Sequence, residues 1–346
     1  MSEVPTTDAS LPRSRESGQR WRLLRRVALV LLWALLGLLT LWGVAALYYD
    51  ARVSWLRLPL AAVYGVGMLA VLIWARPRRL AAGICVGGFL LVLAWWLCLK
   101  PSNQRDWQPD VAVLPYADIT GNEVTIHNIR NCDYRTETDF DARHYDKTFK
   151  LEDLRTVDLF LVTWGSPHIA HTMVSFGFLN GDHVCFSIET RKEKGEAYSA
   201  VKGLFRQFEL TYIIADERDL VRLRTNYRQG EEACLYRVRM TPEQGRRFFL
   251  DYLKRANALR DRAEWYNAAT DNCTIAIRTQ RAAAERQPWD WRMLVNGHLD
   301  QLLYERGTIA TNLPFAELKK QAWINARARA ADQDPDFSKR IRQNLP

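Results

Sequence analysis

The pattern of apolar and polar positions divides the chain near residue 100. Before that point lie three runs without a charged residue: Val27 to Tyr48 is 22 residues long, Leu58 to Ala75 is 18 and Leu80 to Leu99 is 20. A helix needs about 20 apolar residues to cross the hydrocarbon core of a bilayer. The runs therefore predict transmembrane helices over 27–48, 58–75 and 80–99. Trp33, Trp42, Trp55, Trp74, Trp95 and Trp96 lie in or beside them, several at depths suited to the membrane interface.

Beyond residue 100 the pattern shortens. Residues 100–118, with Pro101, Pro109 and Pro115, read as an extended linker. Glu123 to Arg130 alternates with the period of a strand. Val157 to Thr163, His171 to Phe178, His183 to Glu189, Thr211 to Ala215 and Cys234 to Met240 are further β-type runs. Asn180-Gly181 between two of them predicts a hairpin. Thr241, Pro242 and Glu243 open a helix that continues to about Leu259. A second helix is expected from Asp271-Asn272-Cys273, and others over roughly Met293 to Glu305 and Pro314 to Ala328. Strands followed by helices predict an α+β domain over 119–330, with a loose polar tail at 331–346.

Charge changes the picture by its position. The net charge is +9. Residues 1–100 hold 12 Lys and Arg against 4 Asp and Glu, whereas the remaining 246 residues hold 36 against 35. A nucleic-acid-binding domain would carry its positive charge in the folded part, so no nucleic-acid partner is expected. The charge instead flanks the apolar runs. Six arginines between Arg13 and Arg26 precede the first run, and Arg76, Arg78 and Arg79 separate the second from the third. By the positive-inside rule, residues 1–26 and that turn face the cytoplasm. The domain after three spans then lies outside, in the periplasm of a bacterial inner membrane.

Candidate chemistry centres on one cysteine. Cys85 and Cys98 fall in the third apolar run, and Cys185 and Cys234 within strands; with Cys132 and Cys273, the latter two lie where disulfides are permitted. Only Cys273 occupies the expected start of a helix, where amide N–H groups and the helix dipole favour a thiolate and can hold an oxyanion. A thiol nucleophile needs a base. His171 opens a strand and is the preferred partner among six histidines. His183 reads as a solvated hairpin residue and His298 as structural. The His168/His171 spacing gives only a weak zinc signal, because Pro167 argues against a helix there. Glu189 and Ser187 on the neighbouring strand are available to orient the ring of His171. No metal or other cofactor is expected.

These residues carry a resemblance. Ala170-His171-Thr172, Tyr266-Asn267, Asp271-Asn272-Cys273-Thr274, Glu123 to Arg130, Ser187 to Arg191 and Lys194 to Ser199 resemble motifs of the Lnb N-terminal periplasmic domain family. Gly203 to Arg206, Glu209 to Tyr212 and Ala215 to Asp219 extend the likeness over roughly residues 120–285. That family is related to bacterial lipoprotein N-acyltransferase and is similar to circularly permuted papain-like enzymes of the NlpC type. The resemblance implies that Cys273 is the nucleophile and His171 the base, with Glu189 favoured over Ser187 as the third residue. It also implies site-supporting roles for Asn272, Ser187 and Arg191. The chain differs from Lnb in length and in carrying three spans before a single domain.

Three functions follow as expectations. The first is a membrane-anchored thiol acyltransferase or hydrolase acting on phospholipid or lipoprotein acyl groups. The second is a cell-wall peptidase or amidase of the NlpC type. The third is a non-catalytic membrane-anchored binding domain.

Overall fold

The computed structural model describes residues 13–268, 270 and 288–345, which form two compact units dividing between Leu99 and Lys100.

The first unit consists of α1 (Arg13–Asp50), α2 (Ser54–Trp74) and α3 (Arg78–Leu97). Three stretches, Gln19–Asp50, Ser54–Trp74 and Arg78–Leu97, are long and apolar enough to cross a membrane. The helices pack through small residues. A Cβ on Gly43 would meet the Tyr64 ring at 2.7 Å, and one on Gly88 would meet Met68 at 2.8 Å, the close approach that associating membrane helices use. Trp42 meets the rings of Phe89 and Trp96 edge-on, with centroids 5.5 Å away in each case. The Trp96 indole donates to Asp50 at 2.7 Å, which gives a buried carboxylate a partner.

The second unit is a mixed α/β sheet domain. Its strands are β1 (Tyr116–Thr120), β2 (Glu123–Arg130), β3 (Asp133–Tyr134), β4 (Phe140–Asp141), β5 (His144–Lys150), β6 (Leu154–Trp164), β7 (Ser166–Phe178), β8 (His183–Arg191), β9 (Glu209–Ala215) and β10 (Glu231–Arg237). The main sheet runs β1-β2-β9-β8-β7-β6-β10, with β5 added on β2; β3 and β4 form a small ribbon apart. Every pairing is antiparallel except β2 with β9, which meet in parallel at Arg130 and Ala215. The β7–β8 hairpin turns at Asn180-Gly181, where Gly181 has φ +88°, a conformation that favours glycine.

Strand alternation gives the sheet two buried faces. On the first, Leu159, Val174, Phe176, Phe186, Tyr212 and Ile214 pack against α5 (Pro242–Asp261) through Phe248, Phe249 and Tyr252. The Thr241 hydroxyl accepts from the Gln244 amide while the Gln244 side chain accepts from the Thr241 amide, so this helix starts in a reciprocal cap. On the second face, Phe160, Met173, Cys185 and Ile213 meet α4 (Glu217–Arg222), α8 (Asn325–Ala330) and α9 (Phe337–Ile341).

The later helices are shorter than their pattern predicts. The expected 293–305 helix is replaced by 3-10 turns at Trp291–Met293 and Asn296–His298 followed by α6 (Leu299–Glu305). Close packing explains the break, since a Cβ on Gly297 would lie 2.1 Å from the Pro167 carbonyl oxygen. The expected 314–328 helix becomes α7 (Phe315–Ala322) and α8, interrupted where Trp323 bridges to Cys234 and the Ile324 amide donates to Ala233 at 2.9 Å. The helix expected from Asp271 lies outside the described residues.

Two segments expected to be loose or extended belong to the core. Trp107 and Val111, in the expected linker, are buried. Arg191 anchors them: its guanidinium donates to Val111 O, Asn103 Oδ1 and Ala112 O at 2.8–2.9 Å and lies 4.3 Å from the Trp107 ring centroid. In the expected polar tail, Phe337 and Ile341 are fully buried, and Arg342 pairs with Glu217 at 2.5 Å and Asp158 at 2.9 Å. One short amphipathic turn carries too few residues to show a period in sequence.

Another buried pair joins β2 to α4. Arg130 donates to both oxygens of Asp219, at 2.8 and 2.6 Å, and Asp219 also accepts from the Cys132 amide at 2.8 Å and the Tyr134 hydroxyl at 3.1 Å. Removing one member of such a pair leaves an unmatched buried charge. Asp219→Ala should therefore destabilise the domain by about 3–5 kcal/mol, read as a lowered melting temperature of the detergent-solubilised chain. A melting temperature equal to wild type would contradict the pairing.

Glu209 predicts a pH dependence. Burial raises its carboxyl from 4.5 to about 7, against the opposing pull of Arg105 and the Ser102 amide. The carboxyl takes up a proton more readily in the folded chain than in the unfolded one. Its contribution to stability is complete below about 4.5 and is lost as pH rises through about 7. The melting temperature should fall more steeply between acid and mildly alkaline pH in wild type than in Glu209→Gln. Parallel curves would show that Glu209 does not titrate in this range.

Candidate active site

Alternation sets which side chains meet. Met173 pairs with Ser187, and Glu189 pairs with Thr211. His171, Ser187, Glu189 and Thr211 therefore project from the second face. His171 and Ser187 are buried, and Glu189 is partly so.

The three groups form a relay. His171 Nε2 lies 2.6 Å from Ser187 Oγ, and the Ser187 hydroxyl donates to Glu189 Oε1 at 2.6 Å. His171 Nε2 is also 3.1 Å from Glu189 Oε1. The single hydroxyl proton of Ser187 goes to the carboxylate, so Ser187 Oγ accepts from the ring. The proton of a neutral His171 then sits on Nε2, and Nδ1 is the basic nitrogen. Hydrogen bonding on one nitrogen thus selects the tautomer at the other.

An arginine keeps the relay anionic at its end. Arg224, in the π-helical turn Leu223–Tyr227 that follows α4, donates to Glu189 Oε1 at 3.1 Å and to Glu231 Oε2 at 3.2 Å. Burial alone would raise the Glu189 carboxyl. His171, Arg224 and the Ser187 hydroxyl outweigh it and hold the group well below the usual carboxylate range. The Thr211 hydroxyl is buried beside Glu189 and has no hydrogen-bond partner among the described residues.

The other sequence candidates divide clearly. Cys273 and Asn272 lie outside the described residues. Arg191 binds the 103–112 segment, so its contacts hold the domain together and do not reach the relay. His168 and His171 lie on one strand but are not brought together: His168 Nδ1 meets His298 Nε2 at 2.8 Å, whereas His171 Nε2 meets Ser187 Oγ. His183, expected to be solvated, is half-buried with its Nδ1 2.9 Å from the Gly181 carbonyl, and burial lowers its pKa. Cys132, Cys185 and Cys234 are free thiols. Burial pushes Cys132 up to about 12 and Cys234 to about 11, so neither provides a thiolate near neutrality.

Arg224 is the site residue that sequence reasoning missed. It lies among Arg218, Arg222 and Arg228, and no residue type or spacing sets it apart from them. Its role depends on a helical turn widened to the π form, which residue types do not announce.

The apolar helices fit an integral membrane protein, joined to a mixed α/β domain with a buried imidazole–hydroxyl–carboxylate relay. Residues 141–297 match the family model of the Lnb N-terminal periplasmic domain, the family whose motifs the sequence resembles. No curated protein and no solved structure was found to match the chain.

Replacing Arg224 tests the electrostatics of the relay. The stability that ionised Glu189 contributes is present above its ordinary value and is lost as pH falls through its lowered one. In Arg224→Met the loss should begin at higher pH. The midpoint of acid unfolding should therefore shift upward, and an unchanged midpoint would show that Arg224 does not hold Glu189 ionised.

Proposed function

We propose that the chain is a membrane-anchored, thiol-dependent acyltransferase or hydrolase acting on phospholipid or lipoprotein acyl groups in a bacterial inner membrane. The observation that carries this reading is the relay, in which Ser187 and Glu189 hold the His171 ring with Nδ1 as its basic nitrogen. The family match over residues 141–297 and the three apolar helices support a membrane-associated periplasmic setting. The arginines before α1 and between α2 and α3 favour a cytoplasmic N-terminus and a periplasmic domain. The fold assigned in this reading is circularly permuted papain-like, in which the histidine strand precedes the cysteine helix.

In this mechanism Cys273 is the nucleophile. His171 Nδ1 takes the thiol proton, and Ser187 and Glu189 stabilise the imidazolium that forms. The thiolate attacks the carbonyl carbon of an ester or amide. Backbone N–H groups at Cys273, with Asn272 beside it, stabilise the tetrahedral oxyanion. The bond to the leaving alcohol or amine breaks as the imidazolium returns the proton to it, and a thioester remains. An incoming amine or water then attacks the thioester while His171 removes its proton. The new amide or free acid departs, the proton passes to sulfur and the thiol is regenerated.

A clickable fatty acid fed to cells expressing the chain tests the proposal. An acyl adduct cleaved by neutral hydroxylamine should form on wild type and disappear in Cys273→Ser. In His171→Ala its formation should slow by a factor of about 100 or more. Persistence of the labile adduct in Cys273→Ser would sink the assignment.

A further inference from the structure

We infer that the surface where the β6–β7 turn meets residues 288–298 docks onto the lipid interface of the bilayer. Trp289, Trp291, Leu294 and Ile169 are each at least half exposed there, and Trp164 is 38% exposed. Elsewhere in the described part of the second unit, Val113, Ile119, Leu179 and Trp323 are exposed in separate segments, and Tyr198, Val201 and Leu204 form a smaller group without a tryptophan. A concentration of this kind on one face marks an interaction surface.

The patch is continuous and built. The Trp291 ring centroid lies 6.3 Å from that of His298, and His298 lies 5.0 Å from His168, next to Ile169. Underneath, Asn296 Oδ1 accepts from the Ala170 amide at 2.9 Å and Gly297 presses on Pro167 and His168. The turn bearing the indoles is fixed by Asp290, which accepts from the Arg292 amide at 2.9 Å and pairs with the Arg292 guanidinium at 3.0 Å. Arg292 also reaches Glu305 at 2.7 Å. The tryptophans are thus presented on an anchored scaffold, and ordering them on contact costs little entropy.

The chemistry of the patch selects its occupant. Indole has an apolar body and a single N–H donor, which suits the headgroup level of a bilayer. The unit continues directly, at Lys100, from three helices able to cross a membrane. A bilayer is therefore always present at high effective concentration, so even a weak interfacial preference is realised. Ala170, held by this scaffold, precedes His171 in β7. Docking would bring lipid to the end of the strand that carries the imidazole. The inference goes beyond acyl transfer and does not require Cys273 to react.

The test uses the full chain in phosphatidylethanolamine–phosphatidylglycerol vesicles. Trp291 is replaced by the photo-crosslinking residue p-benzoylphenylalanine, and in a second variant Leu179, at the other end of β7, is replaced instead. Leu179 is 65% exposed and serves as the control. After irradiation, mass spectrometry should find phospholipid adducts at 291 in excess over 179 by on the order of tenfold. The same excess should appear when the Cys273→Ser change is present, which separates docking from catalysis. Equal adduct yields at the two positions would overturn the inference, as would crosslinks from 291 that join two protein chains instead of protein and lipid.

Discussion

A carboxylate removed from water must be met by a cation or by several hydrogen-bond donors, and the second face of the sheet buries several. Glu217 and Asp219 have no exposed side-chain surface, and Glu189 lies partly buried beside them in the same layer. Each is answered by an arginine from elsewhere in the chain: Arg342 for Glu217, Arg130 for Asp219 and Arg224 for Glu189. Much of the domain's organisation follows. The C-terminal residues must return to the sheet to deliver Arg342, and β2 must reach β9 for Arg130 to meet α4. Pairs of this kind add little net stability compared with apolar packing, but a broken pair is costly. They therefore specify one arrangement of segments more than they strengthen it.

The same requirement shapes the relay. The segment 217–224 is one helical passage that offers Glu217 and Asp219 in its first turn and Arg224 at its end. A regular α-helix would turn Arg224 by about 100° per residue relative to its neighbours; the π-helical turn changes that phase and directs the guanidinium to Glu189 and Glu231. Together with His171 and the Ser187 hydroxyl, the guanidinium keeps Glu189 anionic, Ser187 donates to Glu189, and the ring of His171 is left with a defined tautomer. A charge neutralised for reasons of burial thus also fixes the tautomer of the imidazole beside it.

Much of this was legible from local pattern. Two β-type runs separated by Asn180-Gly181 identified the β7–β8 hairpin and made Ser187 and Glu189 available on the strand next to His171. The Thr241-Pro242 start of α5 was readable because a helix cap is chemistry within four residues. The three apolar runs were readable because hydrophobic length is a property of the segment itself. Arg191 was given a site-supporting role; it shares a face with Ser187 and Glu189, but at the end of β8 its guanidinium is taken up by Trp107 and the 103–112 segment. Trp107 and Val111 had looked like linker because proline spacing hid two isolated anchors, and Phe337 and Ile341 had looked like tail for a similar reason.

By itself the sequence determined what short-range physics can express: which runs are apolar for long enough, which alternate, where helices begin and where the chain reverses. Tertiary structure decided which arginine meets which carboxylate, and with it the relay around His171. The reason is that a charge carries no local address. Arg224 and Arg228 have the same composition and similar neighbours, yet the first is buried against Glu189 while the second pairs with Glu137 nearer the surface. Only the sheet register and the phase of one widened helical turn separate them, and both are set by contacts between residues far apart in the chain.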